Sequence, residues 1–306
     1  MRNPHWGLAL AGGLTLMLAC STLDLPTPPL QDATEITASM IEQNAIAPVT
    51  LSGAGDIAKC PGQAGATAKL LAAIPGTIFT LGDNVYPDGN AAMYSSCYGT
   101  TWGRLRSRTR PSPGNHDYLT AGGAPYFNYF GSAAGPRGRG YYSYDLGAWH
   151  VVSLNSEVAT QAGSAQERWL RQDLATNPKK CTLAYWHKPL FSSGSMGASI
   201  GVRALWKALY DRGVEVVLNG HDHNYERFAP QTPTASANPT HGIRAFVVGT
   251  GGAPLLAFKK AVANSQFRYN KSHGVLKLTL SDGSYAWKFI AVSGAVIDAG
   301  QATCHW

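Results

Sequence analysis

The sequence lacks the long apolar run that a membrane-spanning helix requires. Its most apolar stretch, residues 7–19 behind the basic Arg2, is shorter than the roughly 20 residues needed to cross a bilayer and reads as an export signal. No internal repeat and no long run of one charge is present, so neither a solenoid nor a charged tail is expected. Cysteine is sparse, with five in 306 residues and no CxxC spacing, and nothing points to a cysteine-held metal. Tryptophan (8) and tyrosine (14) are plentiful, but they are not interleaved with lysine or arginine, so no nucleic acid is expected as a partner. The net charge of +7 is a mild bias towards anionic substrates.

Residues 1–19 are expected to be the signal. Cys20, after Leu18-Ala19, resembles the cleavage box of a bacterial lipoprotein, with Met17 and Leu18 departing from the usual residues. A lipid on Cys20 is the expectation and a simple cleaved signal the alternative; in both cases the protein leaves the cytoplasm, for the cell envelope or the medium. Residues 20–48, with Pro26, Pro28 and Pro29, read as a tether with a short helix over 36–43. Residues 49–306 then form one domain, large enough to bury roughly three quarters of its unfolded surface. Cys60, Cys97, Cys181 and Cys304 are an even number in an exported chain, which favours disulfides over thiol chemistry. Four cysteines allow three pairings, of which we take Cys60 with Cys97 and Cys181 with Cys304.

Within the domain, Ala64 to Ile74 is Ala- and Leu-rich and predicts a helix. Ser164-Ala165-Gln166-Glu167 is a capping box opening a second helix, with Trp169, Leu170 and Leu174 on one face. Ile200 to Arg212 is a third, ended by Gly213. Tyr141 to Leu146 and Trp149 to Leu154 flank Gly147-Ala148 as a hairpin. Strands are expected over 243–248, 274–280, 285–292 and 295–297. Arg104, Arg106, Arg108 and Arg110 alternate as on one face of a strand, a solvated face being the simpler reading than an anion-attracting edge.

The chemistry-bearing residues follow β-rich runs. Residues 49–55 deliver Asp56, and 77–82 deliver Asp83. Residues 109–114 deliver Asn115-His116-Asp117, residues 181–186 deliver His187, and residues 214–220 deliver His221-Asp222-His223. In an α/β sheet, sites gather beyond the carboxyl ends of strands, so these side chains can converge. Carboxylate, amide and imidazole together suit metals of intermediate hardness. Two imidazoles at alternate positions after a buried strand are costly without a metal.

The series resembles the metallophosphoesterase (calcineurin-like) superfamily, and within it the purple acid phosphatases, from Val49 to the C-terminus. The superfamily opens with Asp-x-His, but here the triplet is Asp56-Ile57-Ala58. Purple acid phosphatases place a Tyr three residues after the second Asp, and Tyr86 stands there. The resemblance implies a four-layer αββα sandwich of two mixed β-sheets flanked by helices. It implies a first metal on Asp56, Asp83, Tyr86 and His223, and a second on Asp83, Asn115, His187 and His221. His116 would face the substrate. A tyrosine bound as phenolate points to Fe(III) in the first position, while Zn(II), Mn(II) or Fe(II) suits the second. The implied activity is hydrolysis of small phosphate monoesters by hydroxide bridging a dinuclear centre. A phosphodiesterase or nucleotidase on the same centre is the alternative, and a non-catalytic surface binding protein of the same fold a second. Asp117 and Asp222 are expected either to orient ligands or to face solvent, and the oligomeric state is left open.

Overall fold

The computed structural model describes residues 46–305, so the expectations for the signal, Cys20, the short helix over 36–43 and most of the tether lie outside the described residues. The strands in chain order are β1 Val49–Ala54, β2 Thr77–Thr80, β3 Thr109–Arg110, β4 Tyr142–Leu146, β5 Trp149–Ser153, β6 Cys181–Tyr185 and β7 Val216–Asn219. They continue with β8 Tyr225–Phe228, β9 Arg244–Val248, β10 Ser265–Tyr269, β11 Gly274–Ser281, β12 Ser284–Ala291 and β13 Val296–Thr303. Two mixed sheets result. One has the order β13-β12-β11-β1-β2-β3, the other β10-β8-β9-β7-β6-β5-β4.

Sequence pattern accounts for the layering. β5, β6 and β7 are buried at every position, as expected of strands covered on both faces. One face of the second sheet, with Val151, Leu183, Tyr185, Val216, Leu218 and Phe246, joins the inner core shared with Leu51, Phe79, Val275 and Leu278 of the first. Its other face, with Val152, Ala184, Trp186, Val217 and Val247, packs under helices Ala165–Thr176 and Arg203–Tyr210 through Leu170, Leu174, Leu205, Trp206 and Leu209. β11 and β12 instead alternate buried and half-exposed residues. The helix Ala64–Ala73 buries Ala64, Ala68 and Leu71.

Half of the capping box is realised: Ser164 Oγ accepts from the Glu167 N–H at 3.2 Å, but the Glu167 carboxylate accepts from the Gly163 N–H at 3.0 Å rather than from that of Ser164, which is spent on Gln161 O. The expected hairpin is β4–β5. Both disulfides have the expected pairing, with Cα–Cα distances of 6.0 Å for Cys60–Cys97 and 5.7 Å for Cys181–Cys304.

Three departures have physical causes. Residues 102–108 form a 3₁₀ helix rather than a strand, so the four arginines share no strand face. Arg108 instead donates to the carbonyls of Leu71, Ile74 and Gly76, which satisfies the free C-terminal end of helix Ala64–Ala73. β8 was not expected because it carries Glu226 and Arg227. Glu226 is fully buried, receiving the Ser193 N–H and the hydroxyls of Ser193 and Ser265, and Arg227 pairs with Asp298 at 2.7 Å. β13 extends to Thr303, well past residue 297, because pairing with β12 continues along its whole length.

One buried ion cluster makes stability pH-dependent. His150 is 2% exposed and sits between Asp145 (3.0 Å) and Asp173 (2.8 Å). Burial disfavours its charge, but the two carboxylates outweigh that and raise its pKa above the ordinary 6.5. A raised folded pKa means the contribution is fully present below the unfolded value and is lost as pH rises through the folded one. The stability margin of wild type over His150→Gln should therefore be larger at about pH 5.5 than at about pH 8.5, as read by urea denaturation at each pH.

Candidate metal centre

The carboxyl ends of β1, β2, β6 and β7, and the turn after β3, all open on one site, and each hands it a polar side chain within a few residues. Asp56, Asp83 and His221 take left-handed backbone conformations, with φ of 59°, 49° and 71°. Such conformations cost roughly 1 kcal/mol or more for a residue with a Cβ and concentrate at functional sites. Two glycines let the backbone close in. A Cβ on Gly82, where φ is 75°, would lie 2.6 Å from His187 Cβ, and one on Gly114 would lie 2.3 Å from Asp83 Oδ1.

All seven side chains expected as ligands converge, in two groups that share Asp83. In the first, Tyr86 Oη lies 3.0 Å from Asp56 Oδ1, 3.1 Å from Asp83 Oδ2 and 3.1 Å from His223 Nε2. In the second, His187 Nε2 lies 3.3 Å from Asp83 Oδ2, 3.1 Å from Asn115 Oδ1 and 3.1 Å from His221 Nδ1. Ligand atoms of Asp83, His187 and His221 all fall within 4.8 Å of one another.

The donor chemistry fits cations. A phenol has one proton, yet Tyr86 Oη faces two carboxylate oxygens and an imidazole nitrogen, so hydrogen bonding can satisfy only one of the three. His187 Nε2 likewise faces a carboxylate, an amide oxygen and another imidazole nitrogen. The ring nitrogens that point away are already occupied: His187 Nδ1 donates to Leu81 O at 2.7 Å and His223 Nδ1 to Pro254 O at 2.7 Å. In the neutral imidazole that leaves the Nε2 of each as an acceptor aimed inward. A positive ion in each group would answer several inward-facing acceptors at once.

Without an ion, a proton on His187 supplies the positive charge at this position, the place a cation would take. Burial works against ionisation of Asp83, but His187 and then His116 hold its carboxyl well below the usual range. Burial also works against protonation of His187, and Asp83 reverses it. His221 is pushed down to about 4, first by burial and then by the charge of His187, so it stays neutral and able to ligate. Burial, with Asp56 and Asp83 beside it, raises the Tyr86 phenol well above its ordinary value, so a strong Lewis acid is needed to ionise it.

His116 is only partly buried. It is 32% exposed, its backbone N–H donates to Asp83 Oδ1 at 2.8 Å, its Nδ1 bonds Pro87 O, and its Nε2 lies 3.9 Å from Asp83 Oδ2. It therefore stands at the mouth. His150, His241, His273 and His305, given no role from sequence, take no part in either group.

Residues 53–225 match the family model for calcineurin-like phosphoesterases, a span that includes all of these side chains. The chain belongs to the calcineurin-like phosphoesterase family. Among its relatives, purple acid phosphatase 21 of Arabidopsis thaliana is 30% identical over 258 residues, covering 76% of this chain and 57% of that protein. A protein named probable inactive purple acid phosphatase 9, from the same plant, is 28% identical over 180 residues, 54% of this chain and 26% of its own length. Purple acid phosphatase PPD1 from yellow lupin (Lupinus luteus) seeds superposes with a TM-score of 0.72 at 20% identity, over 85% of this chain and 55% of that one. The two-sheet sandwich is the metallophosphoesterase fold. The chain spans between 18% and 57% of the length of the curated relatives it matches.

In this calcineurin-like phosphoesterase a polar shell supports the convergent groups, and sequence reasoning saw only part of it. Asp117 and Asp222 are fully buried, which excludes the solvent-facing alternative for both. Asp117 receives the Gly114 N–H (2.8 Å), the Asn84 amide (2.9 Å) and the Tyr94 hydroxyl (2.6 Å). Asp222 receives the Ser192 hydroxyl and the N–H groups of Met196 (2.8 Å) and Gly197 (3.0 Å). Tyr94 was missed, because nothing in its local pattern distinguishes it from a core aromatic. Asp117→Ala would strand several buried donors, each costing roughly 1–3 kcal/mol. The expected loss of about 3 kcal/mol corresponds to a fall in Tm of roughly 6–12 °C, measurable by calorimetry.

Proposed function

We propose that the chain is a metal-dependent phosphomonoesterase of purple acid phosphatase type. The observation that carries this reading is the pair of ligand groups meeting at Asp83 below the partly exposed His116 imidazole. Asp56, Asp83, Tyr86 and His223 would hold Fe(III), the ion best matched to a buried phenol. Asp83, Asn115, His187 and His221 would hold Zn(II), Mn(II) or Fe(II). Metal ions so held polarise phosphoryl oxygens and lower the pKa of an attacking water.

The remaining work falls to the chain. Asp83, shared by both groups, fixes their separation. Leu81 O and Pro254 O hold the His187 and His223 rings by their outward nitrogens. His116, as an imidazolium with Nδ1–H spent on Pro87 O, would present Nε2–H to the leaving-group oxygen and hand over that proton as the P–O bond breaks, returning to the neutral ring. Segment 230–241 joins the ends of β8 and β9 remote from the ligands, so loops 119–139 and 192–199 would decide between monoesters and the diester or nucleotide substrates that the same centre could accept. Asp222 and Glu226 pin the second of these through Ser192 and Ser193, which favours a preformed wall. The two disulfides support an exported protein, with lipid attachment at Cys20 part of the same proposal.

Two measurements test this reading. His116→Ala should keep its metal content and lose roughly 100- to 10,000-fold in turnover on esters with poor leaving groups, with a smaller loss on good ones. An equal loss on both would remove the donor role. Iron-loaded wild type should show a visible phenolate-to-metal absorption band that Tyr86→Phe lacks; a band that persists in the variant would take Tyr86 out of the centre.

A further inference from the structure

A second polar cleft lies apart from the candidate ligands, where β3, the last strand of one sheet, faces β4, the last strand of the other. It encloses about 620 Å³ and is lined by Arg106, Arg110, Ser107, Ser132, Tyr142 and Tyr144. That volume falls within the range of small-molecule sites. Tyr142 and Tyr144, alternate residues of β4, present parallel rings with centroids 6.2 Å apart at 26°.

The two arginines are held but not neutralised. The Arg110 guanidinium lies 5.7 Å from the centre of the Tyr144 ring and that of Arg106 lies 5.2 Å from Tyr129. Stacking engages the guanidinium face and leaves its N–H donors in the plane to bond something else. Arg106 has no carboxylate or carbonyl partner among the described residues. The hydrogen bond Arg110 makes is a 3.5 Å contact to the Thr109 carbonyl. Asp145 of β4 and Asp173 of its neighbouring helix are already engaged, with His150, Lys179 and Ser143, the last of which also lines the cleft.

We propose that this cleft is a second binding site, for a phosphate group carried on a ring-bearing organic molecule. Two guanidiniums with unspent donors match a dianion, and phosphate takes paired N–H donors from arginine better than from lysine. The hydroxyls of the exposed Ser107 and Ser132 line the same wall. The cleft has room for more than an anion, and the faces of Tyr142 and Tyr144 offer a surface on which a ring can stack.

Calorimetric titration of the full-length, metal-loaded protein with inorganic phosphate and with phenylphosphonate, whose P–C bond resists hydrolysis, tests the assignment. Wild type should show a phenylphosphonate site that the double variant Arg106→Gln/Arg110→Gln weakens at least about tenfold, the loss expected for removing a charged hydrogen bond. Arg104→Gln/Arg168→Gln, an equal change of charge at two exposed positions outside the cleft, should retain it. Ser132→Trp, which fills the cleft and keeps both arginines, should weaken phenylphosphonate more than phosphate. Turnover of a small chromogenic ester by the double variant should be unchanged. Unaltered binding in the double variant overturns the proposal. So does a parallel loss of turnover, which would assign the arginines to the catalytic centre. Wild type binding phosphate as tightly as phenylphosphonate at this site would leave free phosphate as the occupant and overturn the ring-bearing ligand.

Discussion

A single buried carboxylate organises this molecule. Asp83 is 2% exposed, and its two oxygens meet the Tyr86 phenol, the His187 ring and the backbone N–H of His116. An isolated charge so deep in a protein would be expelled or neutralised. Here the compensation comes from groups delivered by other strands, so the sheets cannot settle in their final register without assembling the site. Packing and chemistry are consequently one problem: the same contacts that make the carboxylate tolerable also place the imidazoles around it.

The backbone bears part of that cost. Asp56, Asp83 and His221 are three of the five non-glycine residues with positive φ among the described residues. Strain on this scale persists only where the surroundings over-determine it. Asp56 Oδ2 receives the His221 N–H at 2.8 Å, tying the first strand's turn to that of β7 in the opposite sheet. The shell of Asp117, Tyr94, Asn84 and Asp222 then fixes the turns from behind. Rigidity of this kind suits a site that must hold several like-charged or electron-rich groups a few ångströms apart before any ligand arrives.

Much of this was legible in the sequence because it rests on local pattern. Apolar β-rich runs ending in Asp, Asn or His mark the strand ends, whereas only the resemblance to purple acid phosphatases singled out Tyr86, three residues after Asp83. The N-cap serine and the hairpin were equally local. What escaped depends on distant partners. β8 looks too charged for a buried strand until Ser193, Ser265 and Asp298 are seen to satisfy Glu226 and Arg227. The arginine run has the period of a strand, but its residues are held by helix-end carbonyls and tyrosine rings. Asp117 and Asp222 could not be sorted between solvent and interior by residue type alone, since burial is decided by donors supplied from loops remote in sequence.

The Cys181–Cys304 bond has a consequence for resistance to proteolysis. It closes a covalent ring through 123 positions of sequence that contains His187, His221 and His223 together with the largely exposed segment 230–241. A protease reaching that segment would nick the ring without releasing a fragment. Both halves would stay tethered at the base of β6, and the three imidazoles would keep their strands, so one cut at the surface need not dismantle the centre beneath it.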